Sequence, residues 1–318
     1  MQKRPLGTTG IKVSEIAFGG VEIGLPYGLG VKSADDMLPL AEAIRLLCAA
    51  VDSGVNFFDT AYSYGQSEKI MGQAFHSRRD QVVICTKCRH FTNPDNSLPP
   101  EQELRSIVES SLDESLARLQ TDYVDIFMLH QATLSILHDK NLPPIFADLV
   151  KKGKIRATGI STYTSEETKL AMDSGAWDVI QLPLNLMDQR QKELFPLAEK
   201  KGVGLVIRSV LLKGLLSDRG MNLHPALAEV EKHIKNYDRL LEGASYPLSA
   251  LAVKFVLSFP EVAAALVGID SFDYLKQALD AANGEYLDKN RQELAGKLAF
   301  PDPEFINLPH WDKMNWLR

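Results

Sequence analysis

The sequence predicts an α/β fold in which eight parallel strands, each followed by a helix, close into a (β/α)8 TIM barrel with an N-terminal β-hairpin. Three observations carry this. Short runs rich in Val, Ile, Phe and Leu alternate with longer stretches of helical period. The runs are apolar throughout rather than every second residue, as strands covered on both faces should be. The count of such pairs is eight, the number that closes a parallel sheet on itself. A doubly wound open sheet is the alternative, weakened by the lack of a Gly-x-Gly-x-x-Gly turn after any strand. Residues 1–318 then form one barrel domain, with 301–318 as a C-terminal tail over the barrel.

The elements follow in order. Leu6, Gly7 and Thr8 through Gly10 and Val13 have hairpin turn chemistry, with two glycines bracketing the turns. A first buried strand at 15–18 ends in Gly19-Gly20, and the glycine-rich stretch 24–30 reads as loop. Helices are expected at 39–53, 67–77, 101–119, 143–152, 165–174, 191–201, 247–258 and 272–281. Ser165 is taken as the cap of its helix. Strands interleave at 56–59, 81–87, 123–130, 155–161, 179–183, 204–209 and 263–267. An irregular insert runs from the strand at 204–209 to about residue 243.

Composition excludes several classes. A formal net charge of −6 gives no global attraction to nucleic acid or an anionic membrane. No apolar run approaches a membrane span, and Met1 to Gly7 lacks the apolar core of a signal peptide. Three cysteines in so long a chain fit a reducing, cytoplasmic setting and no disulfide framework. Cys85 and Cys88 have a C-x-x-C spacing, but on a strand they face opposite sides and make a poor redox or metal pair. No metal site is expected. A metal-dependent hydrolase would need several His and carboxylate ligands, and there is no His-x-His pair beside His130 and Asp59.

A barrel carries its chemistry at the C-terminal strand ends. Asp59 closes the second strand and leads through Thr60 to Tyr64; Lys87 closes the third and His130 the fourth. Ser161 and Thr162 follow the fifth, Gln181 lies on the sixth, and Arg208 with Ser209 ends the seventh. Carboxylate, phenol, ammonium and imidazole together form a proton-transfer set. A phenol alone resists ionising near neutrality, and a nearby ammonium lowers its pKa. Lys87 serves that purpose for Tyr64, Asp59 holds Lys87, and His130 shares the proton or binds a carbonyl oxygen. Each residue alone has a plain structural explanation; four on successive strand ends point to catalysis.

The segment Gly54 to Gly65, with Asp59 and Tyr64 five residues apart, resembles the signature of the aldo-keto reductase family. Lys87, His130 at the end of 123–130, the hairpin around Gly7 and Gly10, and the stretch 151–161 are similar to the family's other landmarks. The resemblance implies hydride transfer between a nicotinamide cofactor, NADP(H) or NAD(H), and the carbonyl or alcohol of a small aldehyde, ketone or sugar. It implies Asp59, Tyr64, Lys87 and His130 as the catalytic residues. Cofactor contacts are implied at Gly19, Gly20, Val21, Asp59, Ser161, Thr162 and Gln181. The pyrophosphate loop would supply Arg208, Ser209, Val210, Leu211, Lys213 and Gly214, and the adenosine end Gly268, Ser271 and Gln277. Thr162 replaces the family's usual Asn, and Val210 stands where proline is common. Tyr274 aligns with the arginine that clamps a 2′-phosphate, and Asp270 adds negative charge beside it, so NAD use or dual use is implied.

Tyr27, Tyr64, His130 and Trp311 are the expected substrate contacts, with His310 and Trp316 as further pocket or lid residues; simple packing of the tail is the alternative. His224, His233 and Tyr237 lie in the insert that would shape specificity. A second functional reading is a cofactor-binding, redox-sensing or regulatory subunit with little turnover. The sequence leaves the oligomeric state open.

Overall fold

The computed structural model describes every residue except Pro94, Asn96 and Arg318. Strands β1 (Lys3–Pro5) and β2 (Lys12–Ser14) pair antiparallel. The next eight strands form a closed parallel barrel: β3 (Ile16–Gly19), β4 (Phe57–Asp59), β5 (Val83–Lys87), β6 (Val124–Leu129), β7 (Ile155–Ser161), β8 (Val179–Pro183), β9 (Gly204–Arg208) and β10 (Val262–Gly268). They adjoin in chain order, and β10 closes on β3 with Gly268 opposite Gly19.

The two-residue period of a strand sorts its side chains into two cores. Phe57, Val83, Ile126, Met128, Val179 and Val206 fill the barrel, together with Leu6, Ile11 and Val13 from the hairpin at its N-terminal end. Phe18, Phe58, Ile84, Phe127, Ile160 and Ile180 point the other way into the layer shared with the helices. Cys85 belongs to the inner set and Cys88 to the outer, and both thiols are free. Arg4 closes the lower end. It pairs with buried Glu15 at 2.8 Å and donates to the carbonyls of Leu257, Phe259 and Val262. Asp125, near the start of β6, binds Arg79 at 2.8 Å and Arg156 at 2.5 Å and accepts from the Ile84 amide.

Most helices begin and end within a residue or two of expectation, and Glu101–Leu119, Ser165–Ser174 and Phe272–Ala281 match it. Three details differ. The cap before Ser165 is Thr164, whose side chain accepts from the Glu167 amide while the Glu167 carboxylate reaches back. The stretch 191–201 divides into a 3-10 turn, Arg190–Leu194, and a helix, Phe195–Lys201, with Pro196 in its first turn. The insert is not irregular. It folds into turns that include Ala228–Ile234 and Asp238–Leu241, burying Leu227, Val230, Ile234, Tyr237 and Leu240 at helical spacing. Two helices beyond the eighth unit, Lys289–Lys297 and Leu308–Lys313, complete the chain.

The tail is anchored to the barrel's upper end. The Phe300 amide donates to the Met187 carbonyl, and Asp312 pairs with Lys213. Trp311, expected at the substrate, is fully buried against Phe305 and is not part of the cavity lining to which Leu308, on the turn before, contributes. The indole joins the core shared with the helices instead. No helix among the described residues is long and apolar enough to cross a membrane.

Candidate active site

The inner phase of each strand leads, two residues on, to the polar groups at its C-terminal end. Phe57 is followed by Asp59, Cys85 by Lys87, Met128 by His130, and Val179 by Gln181. Register therefore aims these side chains at one point. Lys87 Nζ lies 2.6 Å from Asp59 Oδ2 and 2.9 Å from the Thr60 carbonyl, and Gln181 Nε2 donates to Asp59 Oδ1 at 2.8 Å. Lys87, Asp59 and Gln181 are all essentially inaccessible.

Tyr64 is held by the turn after β4. The amides of Thr60 and Tyr62 donate to the Cys85 and Lys87 carbonyls, and the Tyr64 amide donates to the Ala61 carbonyl. Gly24 comes so close that a Cβ there would overlap the Tyr64 carbonyl oxygen. A second layer secures this turn: buried Glu68 accepts from Thr86 Oγ1 at 2.6 Å and pairs with Arg118 at 3.2 Å. The Tyr64 ring has Lys87 Nζ 5.0 Å from its centroid and meets His130 edge-on at 5.5 Å. The His130 Nδ1 stands 3.3 Å from Ser63 Oγ, and His90 lies beyond at 4.9 Å between centroids.

The electrostatics differ in one respect from the sequence argument. Burial is the largest influence on Tyr64 and raises its pKa; Lys87 opposes this without reversing it. The phenol is thus protonated at neutral pH, the form that donates. Burial alone would lower Lys87, but the Asp59 charge with Tyr64 and Cys85 outweighs it, and the ammonium sits above its ordinary value. Burial, helped by the Lys87 charge, pushes His130 down to about 2, so its imidazole is neutral.

A cavity runs from this cluster across the ends of β3, β9 and β10. Of the residues expected at a cofactor, it is lined by Gly19, Gly20, Val21, Asp59, Ser161, Gln181, Gly268 and, from the β9 loop, Arg208, Ser209, Val210, Leu211, Lys213 and Gly214. Tyr27, Tyr64 and His130 also line it. Three expected contacts do not. Thr162 is buried with its hydroxyl 2.7 Å from Thr168, Ser271 caps the helix Phe272–Ala281 through the Tyr274 amide, and Gln277 binds Ser249. The Thr162 and Ser271 hydroxyls and the Gln277 side-chain oxygen are engaged in local structure.

The cavity suits an anionic dinucleotide. The Arg208 guanidinium has no carboxylate partner among the described residues, stacks 4.2 Å over Tyr163, and keeps a buried Nε without a hydrogen bond. Ser209 adopts φ 59° and Lys213 φ 58°, turning the loop across the cavity mouth. Sequence reasoning missed Glu22, Tyr163, Arg219 and Leu308 among the lining residues. Glu22 was visible as a charge two residues beyond Gly20 at a functional strand end. Arg219 lay in the insert; it pairs with Asp270 at 2.9 Å and meets the Tyr274 hydroxyl at 3.2 Å. A cation therefore does reach the position where Tyr274 replaced an arginine, already matched by Asp270. No cluster of metal-ligating side chains occurs among the described residues.

Fold and site together define a barrel protein with a buried proton-transfer centre opening onto an anion-compatible cleft. The sequence matches the profile of the Aldo/keto reductase family over residues 15–298, and the chain belongs to that family. It is an oxidoreductase that uses a nicotinamide dinucleotide, NAD(H) or NADP(H). It is 30% identical over 317 residues to L-galactose dehydrogenase of Arabidopsis thaliana, covering 95% of each chain. It is 32% identical over 239 residues to the NADH-specific methylglyoxal reductase of Escherichia coli (strain K12), covering 68% of this chain and 69% of that one. The holo form of an aldo-keto reductase from Bacillus halodurans superposes with a TM-score of 0.78 at 28% identity, covering 94% of this chain and 96% of that one.

Proposed function

We propose that the protein interconverts a small aldehyde, ketone or sugar with the corresponding alcohol, with Tyr64 as the proton donor and acceptor. The observation that carries this reading is a protonated phenol on the wall of the dinucleotide-compatible cavity, with a buried ammonium beside it. The bound nicotinamide would supply or accept hydride at the substrate carbon. The protein's own residues handle the oxygen. Tyr64 donates its proton to the oxygen as negative charge develops there, and recovers it in the reverse direction. Lys87 stabilises the phenolate left behind, and Asp59 keeps Lys87 charged and fixed. Neutral His130, steadied by Ser63, offers a ring nitrogen to the same oxygen without competing as a cation. Ser161, Gln181 and Tyr163 line the same end of the cavity as Tyr64 and would hold the nicotinamide, and Arg208 would meet the anionic bridge.

The galactose- and methylglyoxal-acting relatives support sugars and small 2-oxoaldehydes as the first substrates to try. The test is a steady-state screen of aldehydes, ketones, aldoses and their alcohols with both reduced and both oxidised nicotinamide dinucleotides. Substrate-dependent conversion of the nicotinamide is expected. A protein that binds dinucleotide tightly but turns over none of these substrates would overturn the catalytic reading.

A further inference from the structure

Glu22 lies just beyond β3, half-buried, with its carboxyl turned into the protein. Glycine at 268 makes room for it, since a Cβ there would overlap Glu22 Oε1. Its other oxygen, Oε2, is buried and lacks a hydrogen-bond partner among the described residues, and Glu22 lines the cavity. An unpartnered buried carboxyl oxygen is costly, and a protein that keeps one at a ligand cavity has a use for it.

The surroundings decide which form the carboxyl takes. Asp270 after β10 and Asp59 at the end of β4 face it with negative charge, and Tyr27 faces it from the following loop. Arg219 from the insert is the cation in this group, and it is already paired with Asp270. Burial, with these two carboxylates behind it, raises Glu22 to about 8. At neutral pH the group is a carboxylic acid, with one O–H to give.

We propose that Glu22 is a cofactor-binding residue that works as a neutral hydrogen-bond donor, giving its O–H to an acceptor oxygen of the dinucleotide, so that binding is linked to one proton. The inference rests on the dinucleotide site assigned above. An ionised Glu22 would face the anionic ligand with unpaired negative charge and no donor. Affinity is therefore full below the free carboxyl's pKa and falls as pH rises through it. Ligand binding raises that pKa further, so above about 8 each binding event takes up a proton. The Tyr27 and Tyr64 phenols in the same cavity are raised by burial and stay protonated over this window.

The experiment is a fluorescence titration with NADH between pH 6 and 10, on the wild type and on Glu22→Gln, which keeps shape and a donor but cannot ionise. The wild-type Kd should be flat to about pH 8 and then rise about tenfold per pH unit, while Glu22→Gln stays flat. Calorimetry of the wild type at pH 9, in two buffers of different ionisation enthalpy, should report uptake of close to one proton; this readout needs no variant to fold. A wild-type affinity unchanged to pH 10, no proton uptake, or the same slope in Glu22→Gln overturns the assignment. Failure of the wild type to bind NADH or NADPH at any pH overturns the dinucleotide reading itself, a separate outcome from binding that is merely insensitive to pH.

Discussion

Replacing Lys87 by Met separates its charge from its bulk. In the proposed mechanism the ammonium acts on Tyr64 through space, and its Nζ is 5.0 Å from the ring centroid. Taking the ring centroid as the centre of the delocalised phenolate charge and an effective dielectric of about 20, the attraction is about 3 kcal/mol. That corresponds to a little over two pH units in the phenol's ionisation. Alcohol oxidation needs the phenolate, so the rising alkaline limb of its pH profile should move upward by about two units. Reduction at neutral pH should also slow, because the phenolate left behind loses its stabilising cation. The variant has a structural cost as well. Asp59 would remain buried with Gln181 as its side-chain donor, at about 3–5 kcal/mol for an unmatched buried charge. For a chain of this length that lowers Tm by about 5 °C or more. The double variant Lys87→Met with Asp59→Asn removes the stranded charge; it should recover much of the stability, and the limb should return only in part, because the Asp59 charge itself raises the Tyr64 phenol. The assay is oxidation rate against pH at saturating cofactor, beside a thermal melt. A limb that stays in place in the single variant refutes an electrostatic role for Lys87.

Two further outcomes follow from the same geometry. Arg208→Met removes a guanidinium with no carboxylate partner among the described residues and should weaken dinucleotide binding by about 1.5–3 kcal/mol, some ten- to a hundredfold in Kd; unchanged affinity by titration would remove Arg208 from the site. Asp125→Asn strips the anchor of Arg79 and Arg156 at the opposite end of β6 and should lower stability by about 3 kcal/mol with kcat per folded molecule retained; a fall in kcat larger than the fall in folded fraction would show that the two ends of the barrel are coupled.

The barrel was legible because its strands carry two independent signals, apolar composition and regular spacing against helices. The polar centre was legible because strand register alone turns Asp59, Lys87, His130 and Gln181 inward. What sequence could not supply was the competition for polar atoms. Thr162, Ser271 and Gln277 are spent on Thr168, the Tyr274 amide and Ser249, and only packed neighbours reveal that. Trp311 was read as a pocket residue because aromatic residues suit ligands, yet the same ring fills a core equally well. The insert was readable in principle: Leu227, Val230, Ile234, Tyr237 and Leu240 keep helical spacing, but short helices without strong stop signals between them blur into loop. Arg219 and Asp270 meet across 51 residues of chain, a contact no local pattern announces.

The central claim is that Tyr64 moves the proton in a hydride-transfer reaction within the cavity. Its most direct measurement is single-turnover transfer of deuterium from the reduced nicotinamide to a substrate found in the screen, followed by mass spectrometry for the wild type and Tyr64→Phe. The account predicts deuterium on the product carbon with the wild type, and with Tyr64→Phe intact dinucleotide affinity but transfer slowed by about 10²–10⁴-fold. Equal transfer rates in the two proteins, or product that carries no deuterium, would contradict it.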